Sequence, residues 1–82
     1  MSIEDIKAAK KVIGAKQTVK AVENGLAQRV FLAEDADLRF TKPIIAVCQS
    51  HSVNVEIVPT MTELGKVCGI EVGAAAVAIV KK

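Results

Sequence analysis

Two short apolar runs constrain the fold of this 82-residue chain more than any other feature. One spans 29–33 and contains Val30-Phe31-Leu32, and the other spans 76–80. Runs of this length and composition are typical of strands that are covered on both faces, as in a layered α/β sheet. Apolar residue types make up 51% of the chain, but Phe31 and Phe40 are its only aromatic residues. We therefore expect a single small domain with an aliphatic core.

The composition also excludes several classes of protein. The apolar content is too high for a disordered chain, and two Phe without Trp or Tyr cannot form a platform that stacks successive bases. Met1 leads into Ser2-Ile3-Glu4-Asp5 without a signal-peptide pattern, and the longest apolar run, 73–80, is too short to cross a bilayer. We expect a soluble, cytoplasmic, monomeric protein in which Cys48 and Cys68 are buried, reduced thiols.

The remaining segments predict helices that alternate with strands. The predicted helices cover 3–13, 16–23, 41–51 and 60–68, and the predicted strands cover 29–33, 53–58 and 76–80. Gly14 is a natural stop for the first helix, and Val19, Val22 and Leu26 form the apolar face of the second. Pro43 suits the first turn of the third helix, and Thr60 with Glu63 has the spacing of a capping box at the start of the fourth. This alternation predicts a sheet with helices on both faces.

Positive charge is concentrated in one window. Lys7, Lys10, Lys11, Lys16 and Lys20 all lie between residues 6 and 22, which include no acid, whereas the rest of the chain carries six bases and nine acids. A polarised basic chain of this kind favours a partner that carries phosphate. A solvated lysine face on an ordinary helix is the alternative explanation.

Residues that could support catalysis or metal binding are sparse. Cys48-x-x-His51 with Cys68 offers three zinc ligands, whereas a structural zinc site requires four. The acidic loop 34–37 is more typical of helix capping and solvation than of catalysis, and no nucleophile has a base beside it. The sequence therefore predicts neither an enzyme nor a cofactor or metal site.

The most informative segment is Gly14-Ala15-Lys16-Gln17-Thr18-Val19-Lys20, a turn that leads into a helix. Unpaired backbone N–H groups and the positive end of the helix dipole favour phosphate there. Lys16, Gln17 and Lys20 project from adjacent turns, with Val19 on the opposite face. Their donors fit the O6 and N7 acceptors of guanine, which regular A-form RNA buries in a narrow groove. The segment therefore favours a distorted RNA helix as its target.

The chain resembles the kink-turn-binding family of large-subunit ribosomal proteins and box C/D ribonucleoprotein core proteins, and is most similar to its short bacterial members of the YbxF type. The resemblance covers nearly the whole chain. It rests on four ordered blocks: Gly14-x-Lys16-Gln17-Thr18-x-Lys20, Ala33-Glu34-Asp35-Ala36-Asp37, Leu64-Gly65-x-x-Cys68-Gly69 and 75–79.

The resemblance implies an α/β fold, a three-layer α-β-α sandwich with a small mixed four-stranded sheet, formed by residues 1–82 as one domain. It implies a structured RNA partner that contains a kink-turn, in which tandem sheared G·A pairs lie next to a short bulge. Ribosomal RNA and riboswitches are the candidate sources of such an RNA, and no membrane partner is expected. A ribosome-associated protein–protein adaptor that uses the lysine face is the alternative function.

The resemblance also assigns site residues by position. They are Gly14, Lys16, Gln17, Thr18, Lys20, Asp37, Ile70, Glu71 and Val72. Gly14 would allow close backbone approach, and the side chains at 16, 17 and 20 would contact the sheared pairs. Asp37 would lie near the flipped-out bulge nucleotide, and Ile70 and Val72 would form an apolar wall against it.

Two departures from the family pattern affect this expectation. Many members have Asn and Glu where this chain has Lys16 and Gln17, and some archaeal and eukaryotic members are basic at the positions of Met61 and Val72. We therefore predict kink-turn binding that is weaker and more sensitive to salt than in those relatives.

Overall fold

The structure, a computed structural model, describes residues 10–80. In chain order, its elements are β1 (Lys11–Ile13), α1 (Ala15–Glu23), β2 (Ala27–Ala33), α2 (Leu38–Ser50), β3 (Asn54–Val58), α3 (Met61–Val67) and β4 (Ala76–Val80). The strands form one sheet in the order β1-β4-β2-β3. Because β4 is antiparallel to β1 and β2, and β2 is parallel to β3, the sheet is mixed. The predicted α/β fold with a mixed four-stranded sheet is confirmed.

Helices cover both faces of the sheet. In β2, Val30 and Leu32 belong to one apolar cluster, whereas Phe31 belongs to a second cluster on the opposite face. The first cluster includes Val22 of α1 and also α2 side chains, and the second includes Leu64 of α3. The three consecutive β2 residues are each at most 2% exposed, as expected for a strand buried on both faces. The layers are therefore α1 with α2, the sheet, and α3.

The predicted helix over 3–13 is wrong at its carboxyl end. Lys11 to Ile13 forms the edge strand β1, in which Ile13 pairs with Val77 of β4 and packs against the core. A three-residue segment has too little periodicity to distinguish helix from strand, and pairing with the free edge of β4 decides its conformation. The remainder of that prediction, 3–9, lies outside the described residues.

The predicted start of α2 is also wrong. The helix begins at Leu38, because the Asp37 carboxylate accepts a hydrogen bond from the backbone N–H of Arg39 at 2.8 Å and caps the first turn. Pro43 consequently lies inside the helix rather than in its first turn. Because proline has no N–H, it cannot donate to the carbonyl of Arg39 as a standard residue would.

Other local predictions are confirmed. Helix α1 ends at Asn24, and the Thr60 hydroxyl caps α3 by accepting a hydrogen bond from the N–H of Glu63 at 3.0 Å. Leu26 is an exception: it lies beyond α1 and is 49% exposed, so it does not belong to the apolar face of that helix.

Both cysteines are buried and free, as predicted. Burial raises the pKa of each thiol, and the charge of Lys11 opposes this only in part at Cys68. Among residues 10–80, no helix has the length and hydropathy that crossing a bilayer requires.

Candidate nucleic-acid interface

One edge of the sheet brings together the amino ends of the three helices that the structure describes. Strands β1, β2 and β3 run in the same direction, and each is followed directly by a helix. Their carboxyl ends therefore lie at the same edge, together with the amino end of β4 and the loop 68–75 that precedes it. Because the positive ends of the helix dipoles meet here, this edge favours an anionic ligand.

Backbone hydrogen bonds hold the edge together. The N–H of Gly14 donates to the carbonyl of Ala76 at 2.8 Å, and the N–H of Ala33 donates to the carbonyl of Ala75 at 3.0 Å. The amino end of β4 is thus bound on both sides, to the start of α1 and to the end of β2. These bonds fix the position of the first turn of α1 relative to the loop 68–75.

The same loop is packed closely on α3. The N–H of Ile70 donates to the carbonyl of Gly65 at 3.0 Å, and the N–H of Ala74 donates to the carbonyl of Met61, also at 3.0 Å. A Cβ at Gly65 would overlap the carbonyl oxygen of Val72. The position of the loop therefore depends on a glycine in the facing turn of the helix.

Helix α1 presents the predicted donors to solvent, Lys16 and Gln17 from its first turn and Lys20 from its last. Lys16, Gln17 and Lys20 are exposed, whereas Val19 is partly buried against the core. Gly14 has φ of 113°, and a Cβ placed there would meet no atom within 4 Å, so the space in front of this backbone is open. The structure thus groups the exposed donors beside an accessible stretch of backbone.

Thr18 differs from the rest of this segment. Its side chain is fully buried, so it does not face solvent with Lys16 and Gln17. Its hydroxyl oxygen is buried without a hydrogen-bond partner among the described residues. Any contribution of Thr18 to binding must therefore be to the packing of α1 rather than to direct contact.

Asp37 has the helix-capping role that the sequence favoured for the acidic loop, and it also pairs with the Arg39 side chain of α2. Besides capping α2, its Oδ2 accepts hydrogen bonds from Nε and Nη2 of Arg39, at 3.1 and 2.9 Å. The Arg39 side chain, and secondly its backbone N–H, hold the pKa of Asp37 below its usual value. The carboxylate is therefore ionised near neutral pH and positions an exposed guanidinium at the amino end of α2.

The predicted apolar wall is only partly exposed. Val72 is 70% exposed and Glu71 is also exposed, whereas Ile70 packs against the core beside α3. Val72 is therefore the residue of this loop whose apolar side chain is most available to a ligand.

Eight of the nine predicted residues thus lie at one edge of the sheet, and Lys20 extends the set into the last turn of α1. All of them except Thr18 have some exposure to solvent. Two further residues at this edge, Arg39 and Phe40, were not predicted from the sequence. Both are exposed in the first turn of α2. The signal for them was Asp37 two residues before Arg39, a spacing at which an Asp side chain commonly caps a helix. Within residues 10–80, no three His, Cys, Asp or Glu side chains are grouped as metal ligands.

The sequence matches the profile of the ribosomal protein L7Ae/L30e/S12e/Gadd45 family over residues 3–82. The chain belongs to this family. It is similar to the RNA-binding protein YbxF of Geobacillus stearothermophilus, with 48% identity over 99% of this chain and 100% of that protein. An RNA-binding protein of Geobacillus thermodenitrificans (strain NG80-2) is 46% identical over the same shares of both chains.

Solved structures support the same fold. The 15.5kD RNA-binding protein of Giardia lamblia superposes with a TM-score of 0.88 and 24% identity, over 98% of this chain and 68% of that one. A protein of unknown function from Bacillus halodurans has a TM-score of 0.87 and 25% identity, over 96% of this chain and 83% of that one. These two proteins therefore share the α-β-α architecture of this chain.

Proposed function

We propose that this protein is not an enzyme but an RNA-binding module that recognises and stabilises kink-turn RNA, with tandem sheared G·A pairs beside a short bulge. The observation that carries the proposal is the exposure of Lys16, Gln17 and Lys20 on adjacent turns of α1, whose amino end lies at the edge where the three described helices begin. The names of the bacterial relatives support RNA as the ligand.

The chemistry of these side chains fits the guanine edges of a sheared pair. A sheared pair uses the sugar edge of guanine, so its O6 and N7 acceptors remain free in a widened groove. Lysine donates only, and the Gln17 amide both donates and accepts, so the set complements two adjacent acceptors. A protein that makes these contacts only with the kinked RNA shifts the RNA population toward that state.

Other parts of the edge support the same ligand. The open space at Gly14 allows the RNA backbone to approach the amino end of α1, where N–H groups favour phosphate. Val72 offers an exposed apolar surface for a base that has left the stack. Asp37, whose charge is balanced by Arg39, lies at the amino end of the neighbouring helix.

Replacement of Lys20 by Ala tests the assignment. If Lys20 contacts a base edge, Lys20→Ala should weaken binding to a kink-turn by about 5- to 100-fold and reduce discrimination against an RNA with Watson–Crick pairs in place of the G·A pairs. Lys66→Ala is the matched control, since Lys66 is exposed in the last turn of α3, on the opposite face of the sheet from α1.

Gel-shift titrations of both variants with both RNAs distinguish the outcomes. Equal affinity of the wild-type protein for the two RNAs would refute specific recognition. If Lys20→Ala lowers the affinity for both RNAs by the same modest factor, Lys20 contacts phosphate rather than a base edge.

Further parts of the proposal concern the protein as a whole. We infer a single domain of residues 1–82 that acts as a cytoplasmic monomer without a cofactor, on a kink-turn of ribosomal RNA or of a riboswitch. Partner capture that survives ribonuclease treatment would instead support a protein–protein adaptor.

A further inference from the structure

A groove lies between α1 and α2, beside the proposed kink-turn interface. Its volume is about 410 Å³, and its apolar lining includes Val19 of α1 with Phe40 and Pro43 of α2. This volume lies within the range of about 300–1,000 Å³ that is typical of small-ligand sites. None of Asp37, Ile70 or Val72 lines it, so the groove is separate from the wall assigned to the bulge nucleotide.

Phe40 is the unusual residue of the groove. It is 51% exposed, although the other aromatic residue of the chain, Phe31, is 2% exposed. A half-exposed phenyl ring in the first turn of a helix contributes little to the core, and it offers a flat apolar surface to a ligand. A single ring cannot stack successive bases, but it is sufficient for one.

The charges around the groove favour a phosphate-bearing ligand. Among residues 10–80, Lys16, Lys20 and Arg39 line it, and Glu23 is the one acid that does so. Asp37 uses two of the five N–H donors of the Arg39 guanidinium and holds that group at the amino end of α2. A ligand with one flat apolar face and one anionic group complements this lining.

We propose that the groove between α1 and α2 holds one unstacked nucleotide of the bound RNA, with its base against Phe40 and its phosphate at Arg39. This inference rests on the proposed function, because Lys16 and Lys20 belong both to the groove and to the surface assigned to the G·A pairs. A nucleotide seated here would be a second unpaired nucleotide, distinct from the one at the 70–72 loop.

The charge balance favours RNA over a protein segment as the occupant. The described lining carries three cations and one acid, which attract a polyanion. A protein segment that filled the same groove would need acidic residues placed around an apolar anchor. If a protein segment occupied the groove instead, Phe40→Ala would leave the dissociation constant for RNA unchanged.

The experiment compares Phe40→Ala, Phe40→Leu and Phe40→Tyr with the control Leu38→Ala. Leu38 is 62% exposed in the same helical turn but lines a different groove, next to Ile57. Dissociation constants are measured for a kink-turn RNA with a single-stranded tail on each stem. The measurements are repeated with an abasic linker at each unpaired position in turn, and with the G·A pairs replaced by Watson–Crick pairs.

The proposal predicts that Phe40→Ala and Phe40→Leu weaken binding by about 5- to 20-fold, toward the lower end of base–aromatic stacking, whereas Phe40→Tyr and Leu38→Ala bind like the wild type. An abasic linker at one of the unpaired positions should weaken binding by the wild-type protein by the same factor as Phe40→Ala. The same linker should cause no further loss of affinity in the Phe40→Ala variant. Melting temperatures of the variants are measured as a control, to establish that each variant is folded.

Two outcomes separate this inference from the proposed function. If G·A replacement abolishes binding but no abasic position depends on Phe40, the inference is overturned and kink-turn recognition stands. If the wild-type protein binds both RNAs equally, kink-turn recognition fails, and with it the inference that depends on it.

Discussion

Gly65 shows how one residue controls the shape of the interface. Glycine inside a helix is normally less stable than alanine by about 0.5–1 kcal/mol. Here a Cβ would overlap the carbonyl oxygen of Val72, which belongs to backbone and cannot move without the whole loop. Gly65→Ala should therefore lower the free energy of unfolding by about 1–3 kcal/mol, as overpacking does, instead of raising it. Urea denaturation measures the change.

Thr62→Ala is the control for that substitution, because Thr62 is exposed on the same helix. The Gly65→Ala variant should also bind RNA more weakly, because displacement of the loop 68–75 would move Val72 from its position at the interface. A Gly65→Ala protein that is as stable as the wild type would show that the loop does not need the space the structure assigns to it.

At the residue scale, the sequence predicted the surface donors well and their neighbours poorly. Lys16, Gln17 and Lys20 are exposed on one side of α1, because the helical period alone decides which residues face solvent. The same period places Thr18 on the buried side of α1. The resemblance nevertheless assigned it to the RNA-binding residues, because it belongs to the family motif. The Arg39 pairing with Asp37 depends on where α2 starts, which the sequence indicated incorrectly.

At the scale of the element, the start of α2 depends on the Asp37 cap and therefore on pH. The pKa of Asp37 is lowered in the folded protein by Arg39, so its carboxylate stabilises the fold above the unfolded pKa of about 3.9. That contribution is lost as pH falls through this value toward the lower folded pKa. Asp37→Ala should lower the melting temperature at pH 7, and the difference from wild type should shrink below about pH 4.

Asp37→Asn separates capping from charge in the same measurement. Asparagine caps a helix about as well as aspartate, but it carries no charge to pair with Arg39. Its melting temperature at pH 7 should therefore lie between those of the wild type and Asp37→Ala. A wild-type advantage over Asp37→Ala that stays constant down to pH 2 would contradict an ionised cap.

Helices and strands were predictable where the pattern of apolar residues and the length of the segment indicate the same type of element. The apolar runs in β2 and β4 predicted buried strands, and the Thr60–Glu63 spacing predicted the start of α3. Strand β1 was not predictable, because a three-residue edge strand is stabilised by its partner β4, 63 or more residues away in the chain, rather than by its own pattern. Pro43 misled the prediction of α2, because the side-chain cap at Asp37, six residues earlier, outweighs the lost hydrogen bond.

At the scale of the whole molecule, the fold separates Lys10 from the first turn of α1. Strand β1 lies between Lys10 and Gly14, which is at the interface edge, and the carbonyl of Lys10 accepts a hydrogen bond from the N–H of Val80 at the far end of β4. With about 3.3 Å per residue, Lys10 and Gly14 are roughly 13 Å apart. The backbone of Lys10 is therefore away from the amino end of α1, where Lys16 is exposed.

This separation predicts the salt dependence of RNA binding. Two or three cationic contacts with the RNA by Lys16, Lys20 and Arg39 should give a log–log slope of about −2 to −3 between affinity and salt concentration. Arg39→Ala should reduce the magnitude of that slope by about 1, whereas Lys10→Ala should leave it unchanged. Fluorescence anisotropy over a potassium chloride series measures both, and a slope that falls with Lys10→Ala would contradict the assigned interface.

The most direct test of guanine recognition replaces the sheared guanines of a kink-turn by 7-deazaguanine. This change removes the N7 acceptor but leaves the sugar-edge hydrogen bonds of the sheared pair intact, and the same replacement in a Watson–Crick stem is the control. If α1 reads these guanines, the dissociation constant should rise by about 5- to 100-fold for at least one sheared position and stay constant for the stem. An unchanged dissociation constant at every sheared position would contradict recognition of guanine N7 by Lys16, Gln17 and Lys20.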